Sequence, residues 1–166
     1  MIPPLRAMLA GAAVVAAAAV LFALAMEHWV GLVPCGLCLL ERWPFRIAAV
    51  IGLLGLVLPK PWGRAALALL GVVILADAAI AVVHVGVELR LWGSPLAACQ
   101  QPHFAPSTSI AERLAQMPAQ PTKPCEDAAY LFEWLPISFA QMNLAFTLVF
   151  AAIIASYLWL TRRGER

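Results

Sequence analysis

Charged residues are scarce in this chain of 166 residues, since Asp, Glu, Lys and Arg together make up only 12% of it. A soluble globular domain carries about twice that fraction, so the composition excludes an ordinary soluble protein. Hydrophobic residues make up 63%, and the net charge of +2 is too small to indicate a nucleic-acid partner. Internal repeats are lacking as well. The composition predicts a polytopic membrane protein with one domain, residues 1–166, and little mass outside the bilayer.

Four apolar segments each approach the roughly 20 residues that a helix needs to cross a bilayer. They cover about residues 7–26, 37–58, 65–87 and 139–160. In an alternative interpretation, Ala23-Leu24-Ala25 is a signal-peptidase site, but the first apolar run is longer than a usual signal core. We therefore expect an all-α membrane protein whose four transmembrane helices form a bundle.

Basic residues are distributed unevenly between the two ends of these segments. One end carries Arg6, Lys60, Arg64, Arg162, Arg163 and Arg166. The other end carries Arg90, Arg113 and Lys123 among several acidic residues. The positive-inside rule then places both termini in the cytoplasm and all four cysteines outside. In a bacterium this means the inner membrane with the cysteines at the periplasmic face, where disulfides persist.

A long polar loop, about residues 89–136, separates the last two segments. Ser109 and Glu112 have the spacing of a capping box, and three apolar residues follow at helical period: Ile110, Leu114 and Met117. This pattern predicts a short amphipathic helix on the outer membrane surface. A second short helix is expected over 126–134.

The four cysteines fall into two groups with different spacing. Cys35 and Cys38 form a Cys-x-x-Cys pair where the second span begins, whereas Cys99 and Cys125 bracket much of the outer loop. An even number fits two disulfides. A helix N-terminus stabilises a thiolate, which favours a redox pair over a static disulfide or half of a zinc site. Zinc needs histidine or a second close pair, and His103 is the only histidine near either pair in sequence.

Polar residues inside the spans mark a second feature of this end of the molecule. Arg42 follows Cys38 by one helical turn on the same face, about 6 Å deeper, and Arg46 lies another turn deeper. Intramembrane arginines usually face a cavity or a partner, although Glu41 and Arg42 can also extend to the interface as topology markers. His84 lies at matching depth in the third span, either flanking a headgroup together with Arg42 or bonded to a neighbouring backbone.

Asp77 lies two turns from His84 on the same face, near the middle of the membrane. An isolated carboxylate is costly there, so it is either part of a proton relay or a hydrogen-bonded acid that packs against the fourth span. Asn143 and Thr147 are the candidate partners in that span. We favour the second, structural interpretation.

The run Cys35-Gly36-Leu37-Cys38-Leu39-Leu40-Glu41-Arg42 is the most specific motif in the chain. Together with His84 late in the third span and the loop cysteines, it resembles the bacterial disulfide bond formation protein B (DsbB) family. The resemblance covers essentially the whole chain. It implies a membrane enzyme that reoxidises a DsbA-like periplasmic thioredoxin-fold oxidase and passes the electrons to ubiquinone or menaquinone.

The resemblance also implies a role for each cysteine. Cys99 and Cys125 would form the loop disulfide, with Cys99 making the mixed disulfide with the soluble partner. Cys125 would hand electrons to Cys35, and Cys38 would provide the thiolate that contacts the quinone ring.

For the cofactor, the resemblance implies a quinone site formed by Arg42 and His84, and no metal site is expected. It assigns no counterpart to Asp77 or to the proline-rich sequence between the loop cysteines. Two other classes are alternatives. A vitamin K epoxide reductase-like protein has its Cys-x-x-Cys late in the bundle, whereas here it opens the second span. A metal-binding or transport protein would use Cys and His, but the methionines show no paired pattern.

Overall fold

A computed structural model of the chain describes residues 3–96, 99, 109–115, 123–131, 134 and 136–163, with the side chains of 113–115 left aside. Among these residues the secondary structure is helical: α1 (Leu5–Trp29), α2 (Gly36–Val57), α3 (Lys60–Glu88), α4 (Ile110–Ala115) and α5 (Phe139–Arg163). The described part of the chain has no β-strand, only two isolated β-bridges. The expected all-α class is therefore confirmed.

The long helices coincide with the predicted apolar segments to within a few residues at each end. Helix α3 begins at Lys60 rather than near 65. Pro59 occupies the N-cap position, and Pro61 fits the first turn because the backbone N–H groups there have no partner within the helix. By length and apolar composition, α1, α3 and α5 can each cross a membrane. Helix α2 has 22 residues, but Glu41, Arg42 and Arg46 interrupt its apolar sequence.

The long helices pack in a defined order. Helix α2 lies against both α1 and α3, and α5 packs on α3. The core between them contains aliphatic residues with at most 1% exposure: Leu9, Leu67, Leu70, Ile74 and Ile154. Large apolar side chains also point outward, including Val14 (67% exposed), Leu53 (59%) and Val72 (61%). Apolar residues on both faces suit helices that are surrounded by lipid.

Small residues allow α1 and α2 to approach closely. A Cβ added at Gly52 would lie 2.9 Å from the Ala13 Cβ, and one at Gly55 would lie 2.8 Å from Leu9 Cδ2. Close contact at small residues is a common basis of helix association in membranes. It fixes the two helices whose outer ends carry the polar residues described below.

The loop between α3 and α5 contains the predicted capping box. The Ser109 backbone N–H donates to Glu112 Oε2 at 2.9 Å, and the Glu112 N–H donates to Ser109 Oγ at 3.3 Å. The first of these bonds lowers the pKa of Glu112. Helix α4 follows, as predicted, over Ile110–Ala115. Met117, which was expected on the same face, lies outside the described residues.

The second predicted loop helix, over 126–134, is wrong for the part that the structure describes. Residues 126–131 form a turn, a bend and an isolated bridge between Tyr130 and Ser138. The Ala129 carbonyl accepts from the Phe139 N–H at 2.8 Å. The backbone of this segment forms its hydrogen bonds with the start of α5 rather than within a helix of its own. This pairing therefore outweighs the local helical pattern.

Candidate functional site

The Cys-x-x-Cys pair lies at the N-terminus of α2. Cys35 is the N-cap residue, and its Sγ accepts a hydrogen bond from the Cys38 backbone N–H at 3.1 Å. Cys35 and Cys38 are joined as a disulfide. A sulfur that already accepts a helix N-terminal donor is well placed to carry thiolate charge once the bond is reduced. The local structure therefore supports reversible redox chemistry at this pair.

The second disulfide, Cys99–Cys125, packs directly beside the first. Cys35, Cys99 and Cys125 are at most 3% exposed and belong to one buried cluster with Leu37 and Val87. Lys123, two residues before Cys125, forms a β-bridge with Cys35. All four cysteines are thus paired in the way that the family resemblance implies, and the pairs meet at one end of the molecule.

His84 on α3 links the cysteine pair to a carboxylate. Its Nε2 lies 3.4 Å from Cys35 Sγ and 4.0 Å from Cys38 Sγ, and its Nδ1 lies 2.9 Å from Glu41 Oε1. The imidazole and the Glu41 side chain are only 3% and 10% exposed. His84 therefore contacts sulfur and a carboxylate rather than the neighbouring backbone that sequence reasoning considered. Glu41 is buried and does not extend to the surface as a topology marker.

Arg42 forms an ion pair across the helix interface that the sequence did not reveal. Its Nη1 donates to Glu27 Oε2 on α1 at 2.7 Å, and the two side chains are 11% and 27% exposed. Arg46, one turn deeper, is exposed and stacks over Trp43 at 5.3 Å. The two arginines of α2 therefore lie in different surroundings, and Arg42 is the one held inside the bundle.

A cavity of about 450 Å³ opens where α1, α2 and α5 face one another. Its walls are mostly apolar and include Phe22, Phe45, Phe139 and Phe146. Six polar side chains also line it: Glu27, Cys38, Glu41, Arg42, His84 and Asn143. The helices that carry these residues alternate in direction, so the polar groups gather at the end where the disulfides lie. Apolar walls with a few convergent polar groups are typical of small-molecule sites.

Lys123 and Glu88 form the outer edge of this region. Burial lowers the pKa of Lys123, and the nearby carboxylates of Glu88 and Asp127 oppose that shift. Glu88 accepts a hydrogen bond from Ser138 Oγ, and its Oε1 lies 4.0 Å from His84 Nε2. Sequence reasoning treated Lys123 and Glu88 only as charges that set orientation, because their proximity depends on how the loop folds back on α3.

Cys35, Cys38 and His84 also meet the spacing of a metal site, since one ligand atom from each lies within 4.8 Å of the others. Sequence reasoning placed no histidine beside this pair, because His84 lies 49 residues from Cys35 and reaches it only through helix packing. Thiolates are the ligand form of cysteine, and here both sulfurs are bound to each other. The geometry in the structure is therefore that of a disulfide with a histidine beside it.

Asp77 is fully buried, and Asn143 Nδ2 donates to its Oδ2 at 3.1 Å. The predicted packing against the last span is confirmed at Asn143. Thr147, the other candidate, donates to the carbonyls of Asn143 and Leu144 instead. Within the described residues Asp77 Oδ1 has no hydrogen-bond partner, and Asp77 does not line the cavity. These contacts favour a structural role.

The Asp77→Asn protein is expected to keep most of the activity of the unaltered protein, because the oxygen of an amide can still accept the hydrogen bond from Asn143. Asp77→Leu should instead lower stability by about 1–3 kcal/mol, since it leaves the Asn143 amide without its acceptor. Turnover and thermal unfolding of both purified variants check this. A large loss of rate in Asp77→Asn, with normal stability, would instead make Asp77 part of a proton path.

Comparison with known proteins agrees with the motif. The family model described as Disulfide bond formation protein DsbB matches residues 5–157. A curated relative, the Disulfide bond formation protein B of Pasteurella multocida (strain Pm70), is 27% identical over 134 residues, or 77% of this chain and 75% of the relative. No solved structure matches the chain. Because the family model covers nearly the whole chain and both disulfides lie within it, the protein belongs to the DsbB family of disulfide bond formation proteins.

Proposed function

We propose that this protein is a quinone-dependent protein thiol oxidase of the bacterial inner membrane. It reoxidises a DsbA-like periplasmic thioredoxin-fold oxidase and passes the electrons to ubiquinone or menaquinone. The observation that carries the proposal is the contact of two disulfides beside an apolar cavity, with one sulfur, that of Cys38, lining that cavity. Such an arrangement connects a thiol partner on one side to an apolar electron acceptor on the other.

In the proposed arrangement α1, α2, α3 and α5 all cross the membrane, including the more charged α2. The basic residues at the ends of α3 and α5 then face the cytoplasm, as do both termini. The loop with Cys99 and Cys125, and the start of α2 with Cys35 and Cys38, face the periplasm. Both disulfides therefore lie in the oxidising compartment, where they can persist.

The cysteines act in series by thiol–disulfide exchange. A partner thiolate attacks Cys99, and Cys125 leaves as a thiolate. Cys125 then attacks Cys35, which releases the Cys38 thiolate beside the cavity. The second partner thiol resolves the bond to Cys99, and Cys99 restores the loop disulfide by displacing Cys35. The partner leaves oxidised, and Cys35 and Cys38 hold its two electrons.

The cavity fits a quinone headgroup in size and in chemistry. Its volume of about 450 Å³ lies within the usual range for small-ligand sites. A bound quinone supplies the oxidising power, since it accepts two electrons and two protons. Arg42 would bind a quinone oxygen and stabilise the negative charge that develops there and on Cys38. His84 Nε2 lies 4.0 Å from the same sulfur, and the aromatic side chains would exclude water.

A direct assay tests the proposed function. The purified protein is mixed anaerobically with ubiquinone or menaquinone and a reduced thioredoxin-fold dithiol oxidase, and the quinone absorbance is followed. We expect quinone reduction that requires both the protein and the dithiol. Oxidation of the dithiol without any change in the quinone would contradict the proposal. Running both quinones in parallel shows which one the site prefers.

A further inference from the structure

Glu41 is a buried charge to which the proposed cysteine relay gives no task. It lies on α2 one turn after Leu37, lines the cavity, and approaches His84 Nδ1 at 2.9 Å. The adjacent Arg42 is engaged with Glu27 on α1. A buried carboxylate costs free energy unless it is hydrogen-bonded, so its contact with the imidazole is the interaction that the structure offers to offset that cost.

The contact with Glu41 determines what the other side of the imidazole can do. A carboxylate at Nδ1 accepts that N–H, which leaves Nε2 of the neutral ring with a free lone pair. Nε2 points at the cysteine pair, 3.4 Å from Cys35 Sγ and 4.0 Å from Cys38 Sγ. A base oriented by a third group beside a nucleophilic sulfur is the arrangement by which enzymes activate a thiol.

We propose that Glu41 is a positioning residue that holds His84 so that Nε2 takes the proton of the Cys35 thiol and delivers it to the bound quinone. The inference rests on the proposed function, because it concerns the step that reoxidises the dithiol of Cys35 and Cys38. The Cys38 N–H that donates to Cys35 Sγ stabilises the thiolate left behind.

Reoxidation of the pair transfers two electrons and two protons. The S–H bond of Cys35 breaks, and an S–S bond forms between Cys35 and the Cys38 thiolate. Two electrons pass to the quinone, which is the oxidant. One proton travels from Cys35 through His84 Nε2, and the second comes from the medium, which received it from the partner dithiol when Cys38 was released as a thiolate. Quinone and dithiol thus give hydroquinone and disulfide, and His84 returns to its neutral form, with Glu41 still at Nδ1.

Other charged groups around the imidazole do not replace Glu41. Glu88, on the same helix, has its Oε1 4.0 Å from Nε2 and accepts a hydrogen bond from Ser138. Lys123 lies near Glu88 at the loop side. Two ion pairs of the described residues involve the imidazole, and only the one with Glu41 is within hydrogen-bond distance. Its removal should therefore change the ring's behaviour most.

Glu41→Gln tests the proposal with Asp77→Asn as the matched control. Both changes replace a buried carboxylate by an isosteric amide, but only Glu41 contacts His84. We expect Glu41→Gln to slow quinone reduction by about 100-fold, the scale of acid–base assistance, with quinone affinity and loop exchange unchanged. In the protein without quinone, the ¹⁵N chemical shifts of the His84 ring should report the tautomer protonated at Nδ1, and Glu41→Gln should weaken that preference, because an amide can donate as well as accept.

A double-mutant cycle separates positioning from mere structural support. If Glu41 acts through His84, then Glu41→Gln added to His84→Ala should cause no further loss of rate. Glu41→Asp keeps the carboxylate on a shorter side chain, so it should give an intermediate rate. It also replaces Glu41→Gln in the experiment if the Glu41→Gln protein fails to fold. Additive losses, or an unchanged His84 tautomer in a folded Glu41→Gln variant, would overturn the proposal. If the unaltered protein reduces no quinone, it is the proposed function that fails.

Discussion

Replacing Cys99 or Cys125 by serine should abolish turnover with the protein dithiol and leave quinone binding intact. The loop disulfide is the entry point for electrons in the proposed relay, and each exchange step needs both of its sulfurs. The cavity that would bind quinone is lined mainly by α1, α2 and α5, with His84 of α3, and its lining includes neither loop cysteine. Turnover is measured as quinone reduction driven by the reduced thioredoxin-fold partner, and quinone affinity is measured separately by titration.

Ser109→Ala is the control for this experiment. It lies in the same loop, where, among the residues that the structure describes, its hydroxyl is hydrogen-bonded to Glu112 at the start of α4. We expect it to leave turnover unchanged. A Cys99→Ser or Cys125→Ser protein that kept full turnover with the protein dithiol would exclude a relay through two cysteine pairs.

Arg42→Ala is expected to slow quinone reduction by about 100-fold, the usual loss when one preorganised charge is removed from a developing anion. Arg42 lines the cavity, where it is held by Glu27 at 2.7 Å. Arg42→Lys should recover only part of the rate, because an ammonium group cannot reproduce the planar fork of the guanidinium. Steady-state quinone kinetics with a saturating dithiol measure these effects.

Arg46→Ala provides the comparison, since it removes the same charge from the same helix one turn away. Arg46 is exposed and stacked on Trp43, outside the cavity lining. We expect its quinone kinetics to stay close to those of the unaltered protein. Equal losses in both variants would mean a general effect of positive charge, and unchanged kinetics in Arg42→Ala would remove that residue from the site.

The helices could be predicted from the sequence because apolar length is a direct physical requirement of a bilayer. Each predicted segment lies within or almost within one helix. The ends that extend furthest, at Trp29, Lys60 and Arg163, add turns with charged residues that apolar length does not register. The capping box at Ser109 and Glu112 is likewise local, since donor and acceptor lie three residues apart. Such features depend on spacing along one chain segment.

The pairings across helices could not be predicted in the same way. Glu27 meets Arg42, and Glu41 meets His84, only after α1, α2 and α3 adopt particular rotations about their axes. A single sequence gives the depth of each residue but not those rotations. Sequence reasoning therefore placed Arg42 and His84 at one depth and missed the carboxylate that accompanies each. The wrong helix over 126–134 failed for a related reason, because the start of α5 competes for its backbone.

The contact between the two cysteine pairs is the central claim, and a trapped disulfide tests it most directly. In the double variant Cys38→Ser, Cys99→Ser, the remaining cysteines are Cys35 and Cys125. Because both lie in one buried cluster, mild oxidation should join them within the molecule, and peptide mapping should show the Cys35–Cys125 bond. The same variant oxidised in denaturant should show this bond far less. If both thiols stay free and alkylatable in the folded, oxidised protein, the proposed path from the loop to α2 is wrong.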